Sequence, residues 1–569
     1  DSWEFWWGYN KDDILNLKQR LMANEGGQVT GGGLAGVGKA HTREKSGSIA
    51  PTEVAIQNEI IPALERILDK PKMHFDIRAG AVIAIAKVGS TQEKFRDRIA
   101  SRLIDIMNIK SGEEHFSVEE SAALALGILQ DKDEEIVNAL CDKALDMRGT
   151  FTKNQRARAF ALLALGLLQI RETDAGYEKV QKTFKSIVTS EKESQDNMPV
   201  CALMAMGLTQ DPTYVEALKQ MVKDGRAYKT RKLADLIRSY AASALGKIAE
   251  ANPNVVDKDL VDVLHKAMIG SGNHTVRSAV VAFGQIGSKE EVDKALLKKM
   301  VHALEYMTKK GENQSRNFAL ISLGKIGATC DDVRLRNRIF DTLRTTMKKG
   351  SYTSKPFAAL SLGLMGRSSS IGESRQAIRD EVRFEFKEFR GDPKNRGGYA
   401  IALGMLEDRA AVPDLIKVLE NRKEEKRLRG ACAVALGMIR DRRAIDAIKK
   451  ALQTDKDPEL RVDTAVAVGL IGDSASIKML VDILKDPRSS LYVQGSVTLA
   501  VGRIGDVRAI EPLVTMMEDE GVQDLNRALA AVALGLLGDR NELSVLSRLA
   551  RDVNYRAQIN AMEEVLSIL

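Results

Sequence analysis

One short phrase recurs along most of this chain and leaves little freedom for its fold. In full it reads A-x-A-L-G-x-[IL]-G. Copies stand at Ala125-Leu126-Gly127, Ala164-Leu165-Gly166, Ala205-Met206-Gly207, Ala244-Leu245-Gly246, Ala282-Phe283-Gly284 and Ser322-Leu323-Gly324. Others stand at Ser361-Leu362-Gly363, Ala402-Leu403-Gly404, Ala435-Leu436-Gly437, Ala467-Val468-Gly469, Ala500-Val501-Gly502 and Ala533-Leu534-Gly535. A degenerate copy, Ala84-Ile85-Ala86, comes first. Self-similarity at a fixed period marks a repeat array, in which each unit buries its apolar face against the next.

Between the phrase glycines the steps run 41, 39, 41, 39, 38, 40, 39 and 41, then 33, 32, 33 and 33. There are thus two regimes, changing after Gly404. Each unit reads as helix A, a turn, helix B and a link. The phrase and its periods resemble HEAT repeats, and the short units after Gly404 resemble the HEAT-like units first named for bilin lyases. The resemblance covers residues 52–569. It implies an all-α, right-handed α-solenoid of about fourteen helix pairs, elongated and curved. It says little about function, because such arrays serve unrelated tasks.

In Arg429-Gly-Ala-Cys-Ala-Val-Ala-Leu-Gly437, small residues sit where helix B must approach its neighbours closely, and Leu436 and Ile439 fill the core at helical spacing. A helix-interior glycine costs about 1 kcal/mol against Ala, so its repetition implies tight packing. Asp408, Asp441, Asp473, Asp506 and Asp539 follow the phrase and are placed to N-cap the next helix A. Eight residues before the phrase glycine stand Arg78, Arg158, Arg238, Arg316, Arg396, Arg429, Arg461 and Arg527. HEAT repeats carry a similar internal Arg that bonds a turn carboxylate or carbonyl, and the resemblance implies that role here. An anion-binding stripe is the alternative.

A length of 569 residues would suggest three or four domains; the repeat replaces that with one array. We divide it into an aromatic N-terminal segment and helix (1–23), a Gly-rich connector (24–50), long repeats (51–407) and short repeats with a C-terminal cap (408–569). Hydrophobic content of 44% supplies a continuous core, and a net charge of +7 permits an acidic partner without requiring nucleic acid. No run of about 18 apolar residues exists for a transmembrane helix.

Residues 1–9 hold all three tryptophans. Trp3, Phe5, Trp6, Trp7 and Tyr9 are expected to cap the open end of the first repeats. Docking a protein partner or a copy of the same chain is compatible with that. The start at Asp1 fits a processed, exported protein or a trimmed one. Asn10-Lys11-Asp12 and Leu15-Asn16-Leu17-Lys18 extend a resemblance to exported bacterial HEAT-repeat proteins of unassigned role. Gly33-Leu-Ala-Gly-Val-Gly38-Lys39-Ala40 nearly matches a P-loop. It lacks the preceding strand and the magnesium-binding hydroxyl, and reads as connector.

In the long repeats helix A ends in a basic residue and a glycine, as at Lys110-Ser-Gly112, Arg148-Gly149, Lys223-Asp-Gly225, Lys309-Lys310-Gly311, Lys348-Lys349-Gly350 and Arg390-Gly391. A cation suits a helix C-terminus and Gly the left-handed position beyond it. Stacked along one edge, these residues form a candidate basic ridge, thickened by Arg226, Lys229, Arg231 and Lys232. Aromatic interleaving is weak: Phe384, Phe386 and Phe389 cluster in a helix A, where they are expected in the core.

Catalytic constellations are poor. The six histidines form no H-x₃-H or H-E-x-x-H, and His115, near Glu113, Glu114 and Glu119, is the nearest to a metal cluster. Deoxyhypusine-type HEAT hydroxylases carry His-Glu pairs, and none occurs here. Cys141, Cys201, Cys330 and Cys432 fall in different repeats and are expected as buried free thiols. The apolar C-terminus, Val565 to Leu569, is expected to pack on the preceding helix. The sequence therefore supports a non-catalytic scaffold for protein partners, including copies of itself, with the helix-B face as the default surface and no cofactor. A bilin-lyase-like or base-excision-like enzyme and a polyanion binder are the alternatives.

Overall fold

The computed structural model describes residues 2–15, 50–70, 72–109, 115–146, 154–191, 197–368, 374–471, 475–486, 489–541 and 545–568. Lys110, Arg148, Asp473, Glu113, Glu114 and the P-loop-like stretch lie outside them. Helix α1 (Trp3–Leu15) precedes the array. In the array, even numbers are helices A and odd numbers helices B. The first pairs are α2 (Ile61–Asp69) with α3 (Phe75–Gly89), α4 (Glu93–Met107) with α5 (Phe116–Ile128), and α6 (Glu134–Leu145) with α7 (Gln155–Leu168). Next come α8 (Tyr177–Thr189) with α9 (Asn197–Thr209), α10 (Val215–Asp224) with α11 (Asp235–Ala251), and α12 (Lys258–Gly270) with α13 (Asn273–Gly287). They are followed by α14 (Lys294–Lys310) with α15 (Asn313–Thr329), α16 (Val333–Lys349) with α17 (Ser354–Arg367), and α18 (Ser374–Lys387) with α19 (Pro393–Met405). The short repeats are α20 (Val412–Glu420) with α21 (Lys426–Ile439), α22 (Ile445–Thr454) with α23 (Pro458–Ile471), α24 (Ala475–Lys485) with α25 (Leu491–Ile504), and α26 (Ile510–Glu518) with α27 (Asp524–Gly538). Helices α28 (Val545–Ala550) and α29 (Asn560–Ile568) end the chain. The fold is an all-α solenoid. Among the described residues the one β-ribbon pairs Arg226–Ala227 with Arg231–Lys232.

The chain forms two compact units, residues 1–50 with 283–506 and residues 51–282 with 507–569. The change of period after Gly404 lies inside the first unit, where α19 packs on α21 as other neighbouring helices B do.

The phrase is a lock between neighbours. A Cβ on Gly127 would lie 2.5 Å from the Cα of Ala164, and one on Gly166 would lie 2.7 Å from that of Ala205. The same relation joins Gly207 to Ala244, Gly284 to Ser322, Gly324 to Ser361, Gly363 to Ala402, Gly404 to Ala435 and Gly437 to Ala467. In every case the glycine of one phrase receives the first small residue of the next. The last phrase completes the series within its own unit: a Cβ on Gly535 would lie 2.6 Å from the Cα of Ala84, and α27 packs on α3. In this unit the last repeat of the array therefore touches the first. The flank of the first helix B is covered by the last helix B, so the N-terminal aromatic segment does not cap it.

All eight ladder arginines bond carbonyls near the end of their own helix A. Arg158 Nε donates to Ala144 O at 3.0 Å, Arg238 Nε to Val222 O at 2.7 Å and Arg316 Nε to Gly311 O at 2.7 Å. Arg396, Arg429, Arg461 and Arg527 bond Phe386, Leu419, Leu452 and Met517 in the same way. Arg78 reaches Leu68 and Lys70 through Nη1. Gln494 fills the slot in its repeat, donating to Leu484 O and Asp486 O. These bonds satisfy carbonyls that a helix end leaves without partners, and the anion-stripe alternative falls. Asp408 and Asp441 cap as expected, accepting from Ala410 N and Arg443 N, and Asp539 accepts from Asn541 N. All four cysteines are buried free thiols.

The lock predicts an inverted sign for a common stabilising substitution. Gly→Ala in a helix normally gains about 1 kcal/mol. At Gly127 and at Gly535 it should instead cost about 1–3 kcal/mol by overpacking. Gly270→Ala, where a Cβ meets nothing within 4 Å, should be neutral or stabilising. Thermal unfolding of the three variants checks this, and a stabilised Gly535→Ala would contradict the α27–α3 contact.

Candidate interaction surface

Helix α1 buries a stripe of Trp3, Trp6, Asn10, Ile14 and Leu15, residues recurring at helical spacing. The stripe lies on helices B of the first unit, chiefly α19. Trp3 Nε1 donates to Lys394 O at 2.9 Å, and its ring fills a slot made by Gly397, where a Cβ would lie 2.8 Å from Cζ2. Gly398 beside it makes room for Pro356. Two adjacent glycines weaken α19 by about 2 kcal/mol. Burying one indole, at roughly 150–250 Å² and about 25 cal/mol per Å², contributes about 4–6 kcal/mol. Glu4 pairs with Arg427 of α21 at 3.3 Å, and Arg367 Nη2 donates to Ile14 O at 3.1 Å, placing a cation at the C-terminal end of α1.

The five aromatic candidates thus divide. Trp3 (4% exposed) and Trp6 (3%) are used within the chain, whereas Phe5 is 54% exposed and Trp7 and Tyr9 are partly so. Beneath α1, Asp463 of α23 lies against Gly430. Burial pushes its carboxyl up to about 7, against the favourable charge of Lys11, with Glu459, Glu4 and Asp457 adding to the rise.

The helix-B face of the second unit also carries a segment of its own chain. Arg548 Nη1 donates to Gln130 Oε1 at 2.9 Å, Arg551 pairs with Glu250 at 3.2 Å, and Lys247 Nζ donates to Arg551 O at 3.2 Å. Asn554 Nδ2 donates to His274 O at 3.0 Å and Ser278 Oγ at 3.1 Å, Tyr240 donates to Ala557 O, and Arg156 pairs with Glu564 at 3.1 Å. Val565 is buried, and α29 packs on α7 and α9.

The basic ridge is only partly as expected. Lys223, Lys309, Lys310, Lys349 and Arg390 are exposed. Lys348 instead pairs with Glu381 of the next helix A, joined by Arg344 at 3.3 Å. Burial alone would raise Glu381, but these two cations bring its carboxyl below the ordinary value. Arg390 lies 3.5 Å from Glu388. Gly225 is left-handed (φ +64°), but Gly311 and Gly350 are not (φ −62° and −69°). They are glycine because a Cβ would press on Met307 O and Thr346 O. Phe386 is core and Phe389 packs edge-on against Tyr399, but Phe384 is 60% exposed. Tyr306, in α14, is exposed as well.

His115 is a cap rather than a ligand, since its Nδ1 accepts from Ser117 N at 3.3 Å. His74 does the same for α3. The rings of His74, Phe75, His115 and Phe116 stack with centroids 4.3, 3.9 and 4.2 Å apart, and Arg156 lies over Phe116. Glu119 is spent on Lys143 at 3.0 Å. The sequence reading missed three features that have signals in it: the Gly397-Gly398 doublet, the His-Phe pair repeated at 74 and 115, and glutamines three places after the phrase glycine. Gln130 and Gln169 turn left-handed (φ 59° and 52°) and donate to Leu167 O and Leu208 O of the following repeat.

Residues 387–468 and 446–535 match the family model for HEAT repeats. Residues 387–535 are HEAT repeats. No curated protein matches the chain in sequence. Among solved structures it is similar to Kap121p (14% identity, TM-score 0.39, covering 84% of this chain and 54% of that one) and to Kap121p bound to Nup53p (13%, 0.37, 83% and 54%). It is also similar to importin beta (13%, 0.39, 83% and 66%). The chain spans about half the length of the Kap121p chains. The HEAT repeats at 387–535 include α19, α21 and α23, the helices that receive α1.

Two outcomes follow for α1. Trp3→Ala should remove about 3–5 kcal/mol from its docking. Limited proteolysis should then cut near Lys11 much faster, while the array melts at nearly its original temperature. Docking should also depend on pH. Asp463 titrates higher with α1 docked than exposed, so docking is strongest near pH 4, weakens as pH rises to about 7 and is level above that. Tryptophan emission against pH reads this, and Asp463→Asn should flatten the curve.

Proposed function

We propose that this chain is a non-catalytic scaffold whose helix-B surfaces bind amphipathic helices of protein partners. The observation that carries the reading is α1 itself. An amphipathic helix with a tryptophan anchor, an indole N–H bond and a flanking ion pair already occupies a groove across α19 and α21. That is the helix-in-groove mode of recognition, and Trp and Arg are the residues that concentrate binding energy in such interfaces. An enzyme would need placed, unspent carboxylates or a metal. Glu119, Glu381, Asp408 and Asp441 are used in caps and ion pairs, and Asp463 lies against Gly430 in the next helix B. Among the described residues no group of His, Cys, Asp and Glu could hold a metal, and no helix is long and apolar enough to cross a membrane. The polyanion reading retains Lys309, Lys310 and Lys349 but loses Lys348 to Glu381. An exported location belongs to the same proposal and is tested by fractionating cells that make the protein from its full gene.

The test uses an array of amphipathic-helix peptides on the Trp3→Ala chain, in which the groove is vacated. We expect binding by peptides with a tryptophan at the head of the apolar stripe, changing less than about threefold between 50 and 200 mM salt. Binding of polyanions in place of peptides, with affinity falling by about 10³ or more over that range, would replace this reading with the basic-ridge one.

A further inference from the structure

We infer that the Gly397 slot is filled by Trp3 from a second copy of the chain as well as by its own, so that α1 is an exchangeable link between copies. The inference rests on the scaffold reading above and names its partner.

The first step is that the contact between α1 and the array is built like an interface between proteins. Its anchor is a tryptophan in a slot only glycine can leave open, its indole N–H is bonded to Lys394 O, and its rim is the Glu4–Arg427 pair. Every one of those contacts is made by side chains or backbone atoms of residues 3–14. None requires that α1 and the slot belong to one chain.

The second step concerns the tether. Residues 16–50 separate α1 from the first repeat in sequence, thirty-five residues with eight glycines. Thirty-five residues can span at most about 120 Å, more than enough to reach a neighbouring molecule. A tethered ligand is held by an effective concentration that the length of its connection bounds. A second copy competes once the local concentration of the protein approaches that value, as it does in any assembly. Exchange of an identical element creates an interface without new contacts. The third step is what remains outside. Phe5 is exposed, and Trp7 and Tyr9 are partly so. An aromatic flank on the far side of a docked helix gives exchanged copies additional surface to share.

The experiment uses two full-length variants, each defective in a different half of the contact. Trp3→Ala loses the anchor and keeps the slot, while Gly397→Leu loses the slot and keeps the anchor. Neither can dock its own α1 in the native way. If α1 exchanges, mixing them at about 100 µM gives a two-chain mass by light scattering or native mass spectrometry, absent from either variant alone. Adding the synthetic peptide of residues 2–15 then dissolves that species. Because Gly397→Leu could disturb α19, the same peptide is also titrated into the unaltered chain and into Trp3→Ala. It should bind Trp3→Ala at least about tenfold more tightly, since there it faces a weakened internal competitor. Peptide binding without a mixed complex would overturn exchange and leave the scaffold reading intact. Failure of the peptide to bind Trp3→Ala would overturn both, because the groove would then be no docking site.

Discussion

The array depends on one contact, the approach of a phrase glycine to the first small residue of the next phrase. With a hydrogen at Gly127 the Cα of Ala164 fits; with a methyl it would lie 2.5 Å away. Repeating that approach at Gly166, Gly207, Gly284, Gly324, Gly363, Gly404, Gly437 and Gly535 sets the spacing of the helices B it joins and so of what they carry. The leucines and isoleucines of the phrase fill the space that this spacing defines, and the internal arginines reach their carbonyls because helix A lies at a fixed offset from helix B. The contact is also self-complementary. Any phrase can serve as donor or acceptor, which is why Gly535 can receive Ala84 although the two come from opposite ends of the repeat array.

That self-complementarity explains where the ends of the chain go. A repeat array must cover its terminal faces. In the second unit α27 covers α3, so no separate cap is needed and α1 is released from that task. Helices α28 and α29 continue past α27 onto the helix-B face of the same unit, where Arg548, Arg551, Asn554 and Glu564 meet partners on α5, α7, α11 and α13 or just beyond their ends. In the first unit α1 does the corresponding thing on α19, α21 and α23. Both units thus present helices B to a segment of their own chain.

What could be read from the sequence is what repeats locally. The phrase gave the fold class because it recurs at a fixed period, and the register of Arg78 to Arg527 and of Asp408 and Asp441 gave internal bonds and caps whose partners lie at most 16 residues away. The placement of Trp3 could not be read this way. It depends on Gly397, almost four hundred residues away, and a single glycine doublet in a glycine-rich phrase has no distinguishing period. Gly311 and Gly350 show a subtler limit. A glycine after a basic helix end was the right residue for the wrong reason, since sequence does not separate a left-handed turn from a crowded carbonyl. Lys348 shows another, because its partner Glu381 belongs to the next repeat and ion pairs between repeats leave no fixed spacing.

A helix-B face that binds segments of its own chain has the chemistry of one that binds others. Along the helices B that receive α1, single substitutions such as Gly397 set one repeat apart from another. Selectivity then lies in those substitutions, not in the fold. Other repeats carry Ala159, Val200, Ser239 or Asn317 at that place, while Gly430 and Gly495 share the glycine; at Gly397 the room is taken by an indole, and Lys394 O and Arg427 orient the helix that brings it. The same logic places the termini of the chain as resident ligands. They cover part of the helix-B face in each unit, and on the scaffold reading proposed above a helix with an equal anchor competes for the place of α1.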